Sequence, residues 1–224
     1  MLNLELLKYA YIKGYILTNN LSCYYDIANK QLTELTDLDK EVLDNVIKEY
    51  ELKTYYFKEK EVLARVKFVL GFFRAINPNS ILDVGSGRGV FLFPFLCEFP
   101  SSNVTSIDIL ERRVELLNYI RLGGVANLNP IVCDLIDYKT DELYDCVTLL
   151  EVLEHIPDVK KAIKNAINLS KKYIIITVPS KEDDNPEHIH LLTKEILTKY
   201  FNECGVTNLK FSGVNGHLCL IARK

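Results

Sequence analysis

The sequence predicts an α/β fold: a three-layer sandwich around a seven-stranded, mostly parallel sheet whose last strand is antiparallel, preceded by an N-terminal helical extension. Three observations carry this reading. From Pro78 onward, short β-branched runs alternate with helical stretches about every 20 to 30 residues, which is the pattern of a parallel sheet covered on both faces. Before Pro78, Gly and Pro are nearly absent and apolar residues recur at helical spacing. Near the end, LKFSGV and HLCLIARK are separated only by Asn215-Gly216, a two-residue hairpin signal that reverses the final strand.

Residues 1–77 read as three or four helices that form a substrate cap or a dimer surface. LDKEVLDNVIKEY (38–50) places Leu38, Val42, Val46 and Ile47 along one face, and KEVLARVKFVLGFF (60–73) repeats the idea with Val62, Val66, Val69 and Leu70. Asn77-Pro78 closes the segment, because proline disfavours helix in the residue before it. The core, 78–224, then reads as strands SILDV (80–84), NVTSIDI (103–109), NPIVCDL (129–135), YDCVTLL (144–150) and KYIIITV (172–178), followed by the hairpin. The helices between them are FLFPFLCEF, ERRVELLNYIRLG and PDVKKAIKNAINLS, and TKEILTKYFNEC follows the fifth strand with Thr193 as its cap.

Bulk composition narrows the function. With 27 basic and 30 acidic residues and 48% apolar content, the chain reads as an ordinary globular protein with one core and no general affinity for nucleic acid. The six cysteines are scattered without a C-x-x-C pair, against a zinc site or a disulfide framework. No apolar run is long enough to span a bilayer, and the start lacks the layout of a signal peptide, so the expected location is the cytoplasm, away from membranes.

The most specific stretch is ILDVGSGRGVF (81–91), where Gly85, Gly87 and Gly89 directly follow the first strand. Glycines there let the backbone approach a ligand closely. A dinucleotide fingerprint, G-x-G-x-x-G, would need its third glycine at the position of Val90. The actual string, D-x-G-x-G-x-G from Asp83, resembles the class I, Rossmann-like methyltransferases that use S-adenosylmethionine, and the resemblance covers about residues 75–224. It implies that Asp83 orients the loop and the amino-acid end of the donor, while Gly85, Ser86, Gly87 and Gly89 surround its methionine part. Asp108, ending the second strand, would accept hydrogen bonds from the ribose hydroxyls, with Ile109 beside it. The resemblance further places Asp134 on the adenine amino group, Leu135 against the ring and Glu151 at the methionine end.

After the fourth strand, EVLEHIPD (151–158) spaces Glu151, Glu154 and His155 at i, i+3 and i+4, one face if the segment is helical. His188 and His190 follow the fifth strand in an acidic loop. A hydroxyl acceptor must lose a proton, and His155 or His190 is the expected general base with Glu154 as its carboxylate neighbour. The leading expectation is therefore O-methylation of a small molecule with no metal. An alternative set, Glu151, Glu154, His155 and His188 or His190, resembles the metal site of the small-RNA 3′-end 2′-O-methyltransferases. A non-catalytic module that keeps the cofactor fold is the third reading. Acceptor recognition falls to the loop 179–192 and to the helical extension, whose tyrosines (among them Tyr9, Tyr11, Tyr15, Tyr55 and Tyr56) would line a planar-substrate pocket, pack the helices, or form a homodimer surface.

Overall fold

A computed structural model of the chain describes residues 2–58, 61–182 and 184–224. Seven strands form one sheet: β1 (Ser80–Val84), β2 (Asn103–Asp108), β3 (Leu128–Val132), β4 (Tyr144–Leu150), β5 (Ser170–Pro179), β6 (Asn208–Val214) and β7 (His217–Arg223). Their order is β3-β2-β1-β4-β5-β7-β6. The first five run parallel, and β7 lies antiparallel between β5 and β6. Asn215 and Gly216 turn the hairpin with φ of 42° and 84°, the left-handed values that such a turn requires.

Helices cover both faces. On one side lie α1 (Leu4–Thr18), α2 (Tyr25–Ala28), α3 (Asp37–Glu49), α4 (Ala64–Ile76), α5 (Leu92–Glu98) and α6 (Glu111–Leu122), which share one apolar cluster. The other side is built from α7 (Val159–Leu169) and α8 (Lys194–Glu203) over a second cluster. The caps follow the expected chemistry. Asp158 accepts from the Lys161 amide at 2.9 Å, Thr193 accepts from the Ile196 amide, and Asn77 ends α4 with φ 40° just before Pro78.

Two expectations for the extension need correction. Leu38 is 70% exposed, and the buried stripe of α3 is Asp39, Leu43 and Val46, because the Thr36–Asp39 capping box turns the first helical turn so that Asp39 faces inward to Lys30. The second long helix starts at Ala64, so Val62 precedes it, while Lys60, its expected first residue, lies outside the described residues. The tyrosines divide: Tyr9 and Tyr11 are buried in the first cluster, whereas Tyr55 and Tyr56 form an edge of the surface.

The extension docks through bare backbone. A Cβ on Gly14 of α1 would lie 1.9 Å from the Tyr119 carbonyl oxygen of α6, and one on Gly123 would lie 1.7 Å from the Ala10 oxygen. Only glycine at both positions permits this approach.

A polar seam runs through the centre of the sheet. Asp83, 2% exposed on β1, accepts from the Ser86 hydroxyl at 2.5 Å and from the Thr148 hydroxyl of β4 at 2.7 Å. Burial pushes its carboxyl up to about 6, with Asp108 adding to the shift and the two hydroxyls opposing it.

Gly14→Ala should destabilise the fold by about 2–3 kcal/mol through overpacking, whereas Gly71→Ala, where an added Cβ meets nothing within 4 Å in the exposed middle of α4, should stabilise it by about 0.5–1 kcal/mol; urea melts measure both. The folded Asp83 carboxyl binds its proton more tightly than the unfolded one, whose value is 3.8. Its contribution to stability is therefore full below about pH 4 and is lost as pH rises through about 6, a change of about 3 kcal/mol that Asp83→Asn should remove from a series of melts between those pH values.

Candidate active site

In an open parallel sheet the ligand crevice lies at the carboxyl ends of the strands, where neighbouring strands send their helices to opposite faces. Here that point falls between β1 and β4. The loop after β1 is shaped by three left-handed glycines, with φ of 67°, 54° and 76° at Gly85, Gly87 and Gly89. A Cβ on Gly85 would stand 2.7 Å from Val152, and one on Gly89 about 2.5 Å from the Phe93 ring, so neither position has room for a side chain. From below, Ser86 ties the loop to Asp83 and to the Ser106 hydroxyl of β2 at 2.6 Å.

Asp108, 7% exposed, holds the loop from the side. Its carboxylate accepts from the Gly87 amide at 3.1 Å and from the Leu110 amide at 2.9 Å. A carboxylate offers about four lone-pair sites, so acceptor capacity remains after these two bonds. Ile109 stands 67% exposed beside it. Asp134 lies in the turn two residues beyond β3, exposed, with one oxygen accepting from the Ile136 amide at 2.9 Å. Leu135 is 3% exposed and packs in the second core cluster.

The segment after β4 departs from the helical expectation. Glu151 adopts φ 59°, and only residues Leu153–His155 form a short 3-10 turn. This bend separates the three groups that a helix would have aligned. Glu151 turns toward β5 and β7: its carboxylate accepts from the Thr177 hydroxyl at 2.7 Å, lies 3.1 Å from the His217 Nε2, and is 3.7 Å from the Arg65 Nε of α4. With Asp83, Gly85 and Ser86, Arg65 and Glu151 line a small cavity of about 60 Å³ against the glycine loop. A guanidinium and a carboxylate facing one pocket complement a zwitterionic group.

Glu154 is fully buried, and His155 is exposed. The acidic loop after β5 folds back on them through the Ile189 amide, which donates to the Glu154 carbonyl at 3.0 Å. His155 and His188 rings lie 4.8 Å apart, and one ligand atom from each of Glu154, His155 and His188 falls within 4.8 Å of the others. One carboxylate oxygen and two imidazole nitrogens are a donor set for a divalent cation. Glu151 is not part of this group. His190 is not either, since its Nε2 faces the Pro157 carbonyl at 3.3 Å. His155 Nδ1 lies 2.9 Å from the Glu187 carbonyl, which can only accept, so Nδ1 is the donor there, and in a neutral ring Nε2 is the nitrogen with the lone pair.

Sequence reasoning missed Arg65 and His217. Nothing separates Arg65 from other basic residues on an amphipathic helix. His217 was signalled, because an antiparallel strand that begins right after the Asn-Gly turn brings its first residue to the carboxyl edge, where His217 pairs with Pro179.

A family model described as a methyltransferase domain (Methyltransf_23) matches residues 55–210. The ubiquinone biosynthesis O-methyltransferase of Rickettsia felis is 32% identical over 103 residues, 46% of this chain and 41% of that protein. The protein of the same name from Rickettsia conorii is 36% identical over 93 residues, 41% of this chain and 31% of that one. The match thus spans less than half the length of these relatives. Among solved structures, magnesium protoporphyrin IX methyltransferase from Synechocystis PCC 6803 with bound S-adenosylhomocysteine shares the fold with a TM-score of 0.56 at 14% identity, over 95% of this chain and 98% of that one. An O-methyltransferase family protein from Burkholderia thailandensis does so with a TM-score of 0.57 at 14% identity, over 95% and 70%. The segment matched by the family model contains Arg65, the glycine loop, Asp108 and Glu151, and the chain belongs to the methyltransferase domain family.

Proposed function

We propose that this methyltransferase transfers the methyl group to a hydroxyl oxygen of a small molecule, and that His155 is the general base. The observation that carries this reading is the imidazole pair His155–His188 beside the end of β4, with the lone pair of His155 Nε2 left to accept a proton. Methyl transfer from a sulfonium is an in-line displacement, in which alignment supplies most of the acceleration. The loop glycines, Asp108 and the Arg65–Glu151 pocket would hold the donor, with Asp108 on the ribose and the pocket on the amino-acid end. The acceptor hydroxyl would approach from the side of His155 and give up its proton as the oxygen attacks the methyl carbon.

A small acceptor is supported by charge. The loop over this edge exposes Glu182, Asp184 and Glu187, which would repel a polyphosphate chain. The Rickettsia relatives, as O-methyltransferases of ubiquinone biosynthesis, point to a phenolic quinone precursor as the acceptor class. Tyr55 and Tyr56, with Val90 and Phe93, line a cavity of about 340 Å³ against the glycine loop, which suits a planar apolar body.

A second reading draws on the Glu154–His155–His188 cluster. These three side chains would hold a divalent cation, which lowers the pKa of a bound hydroxyl. In that case His155 is a ligand and not a base.

Three measurements test these roles. Calorimetry should show S-adenosylhomocysteine binding and no binding of NAD, with Asp108→Ala lowering the affinity for S-adenosylhomocysteine about tenfold or more through lost charged hydrogen bonds. With radiolabelled donor and catechol-type acceptors, His155→Ala should lower kcat by about 10²- to 10⁴-fold while donor affinity is retained. Full turnover after exhaustive chelation, together with an active His188→Ala, supports the base; loss of turnover on chelation, restored by Mg²⁺ or Mn²⁺, supports the cation. No transfer to any hydroxyl acceptor, with transfer to an amine instead, would overturn O-methylation.

A further inference from the structure

We propose that the chain carries a second ligand site, at the amino edge of the sheet, for a small amphiphile with a single anionic head on an aliphatic chain. The site is a cavity of about 620 Å³ between the extension and the far end of α6. Its apolar wall includes Leu2, Leu6, Leu17, Leu32 and Leu122, and among the described residues no aromatic ring lines it. At the wall between them lies Lys13 of α1, 2% exposed.

The charge balance around Lys13 is what points to an anion. Its Nζ donates to the Lys30 carbonyl oxygen, which leaves two further N–H donors on the ammonium. Among the described residues, no carboxylate lies within the 4 Å ion-pair distance of Lys13. The second lysine of the cavity, Lys30, is already neutralised by Asp39 at 2.7 Å. Glu34 acts on Lys13 only from beyond ion-pair distance, so burial dominates and pushes the ammonium toward losing its proton. An anionic head placed on it would offset the effect of burial.

Glycine keeps the space open. Gly124 has φ 128°, and a Cβ there would press on the Leu32 side chain at 3.2 Å and come within 4.0 Å of the Lys13 Nζ. One ammonium without an ion-pair partner calls for one anionic group on the ligand. Leucines without aromatics favour a flexible aliphatic body over a planar one.

The site is remote from the donor crevice. Pro100 and Asn127 line it just before β2 and β3, whereas Asp108 ends β2 at the opposite edge. α6 runs between the two, beginning next to Asp108 and ending at Gly123. Both ligands can therefore be bound at once, and the proposal does not depend on the identity of the methyl acceptor.

The chain contains no tryptophan, so Leu122→Trp at the half-exposed rim provides a single fluorescent reporter, with calorimetry on the unsubstituted chain as the second measurement. The probes are decanoate, decyl phosphate and decanol, each below its micellar concentration. Saturable binding of decanoate or decyl phosphate is expected, at least about tenfold tighter than decanol. The tighter of the two anions tells a carboxylate head from a phosphate head. Lys13→Met should weaken the anion at least about tenfold and erase its advantage over decanol, Lys13→Arg should retain it, and S-adenosylhomocysteine affinity should be unchanged in both. The absence of saturable anion binding, equal affinity for decanol, or an unaltered anion affinity in Lys13→Met would overturn the proposal. Should Lys13→Met fail to fold by circular dichroism, the anion-over-decanol preference of the unsubstituted chain decides by itself.

Discussion

Asp83 is a buried carboxyl in the middle of the sheet, and its two oxygens hold one hydroxyl from the glycine loop and one from the neighbouring strand. The placement of the glycine loop depends on that arrangement. The loop cannot drift away from β1 while Ser86 is bonded downward, and β1 and β4 stay locked in register by Thr148. Asp108 completes the clamp by taking the Gly87 amide, so the loop is held from two directions before any ligand arrives. Preorganisation of this kind reduces the ordering cost of binding. Its cost is a carboxyl that burial makes reluctant to ionise.

The extension is part of the same body as the sheet and is not an appendage hung beside it. Its helices share one apolar cluster with α5 and α6, and α1 lies on α6 at a distance that only Gly14 and Gly123 allow. α4 belongs to the same cluster and carries Arg65 to the small cavity beside the glycine loop.

Charge is distributed unevenly over the carboxyl edge. Near the glycine loop, Arg65, Glu151 and His217 form a mixed cluster suited to a zwitterion. Farther along, beyond the bend at Glu151, Glu154 and two imidazoles gather under an acidic loop. The left-handed bend is what divides the two groups, and left-handed backbone at a residue other than glycine is a local strain commonly found at functional positions. Glu151 and Glu154, three residues apart, thus end in two separate charge clusters.

Alternation of strand and helix, the Asn-Gly hairpin and the D-x-G-x-G-x-G loop were legible in the linear chain, because each is set by local periodicity or by a backbone conformation that few residue types tolerate. Asp83 and Asp108 were legible for the same reason, since a strand end fixes where its next side chain goes. Other features were decided only by the tertiary structure. The separation of Glu151 from Glu154 and His155 depends on a single φ value that sequence spacing does not encode. Arg65 gains its meaning from the docking of α4, and Lys13 from the cavity that α1 and α6 enclose, so both are contacts between segments far apart in the chain. Local sequence determines which elements form and where they turn; long-range packing determines which charges end up facing one another.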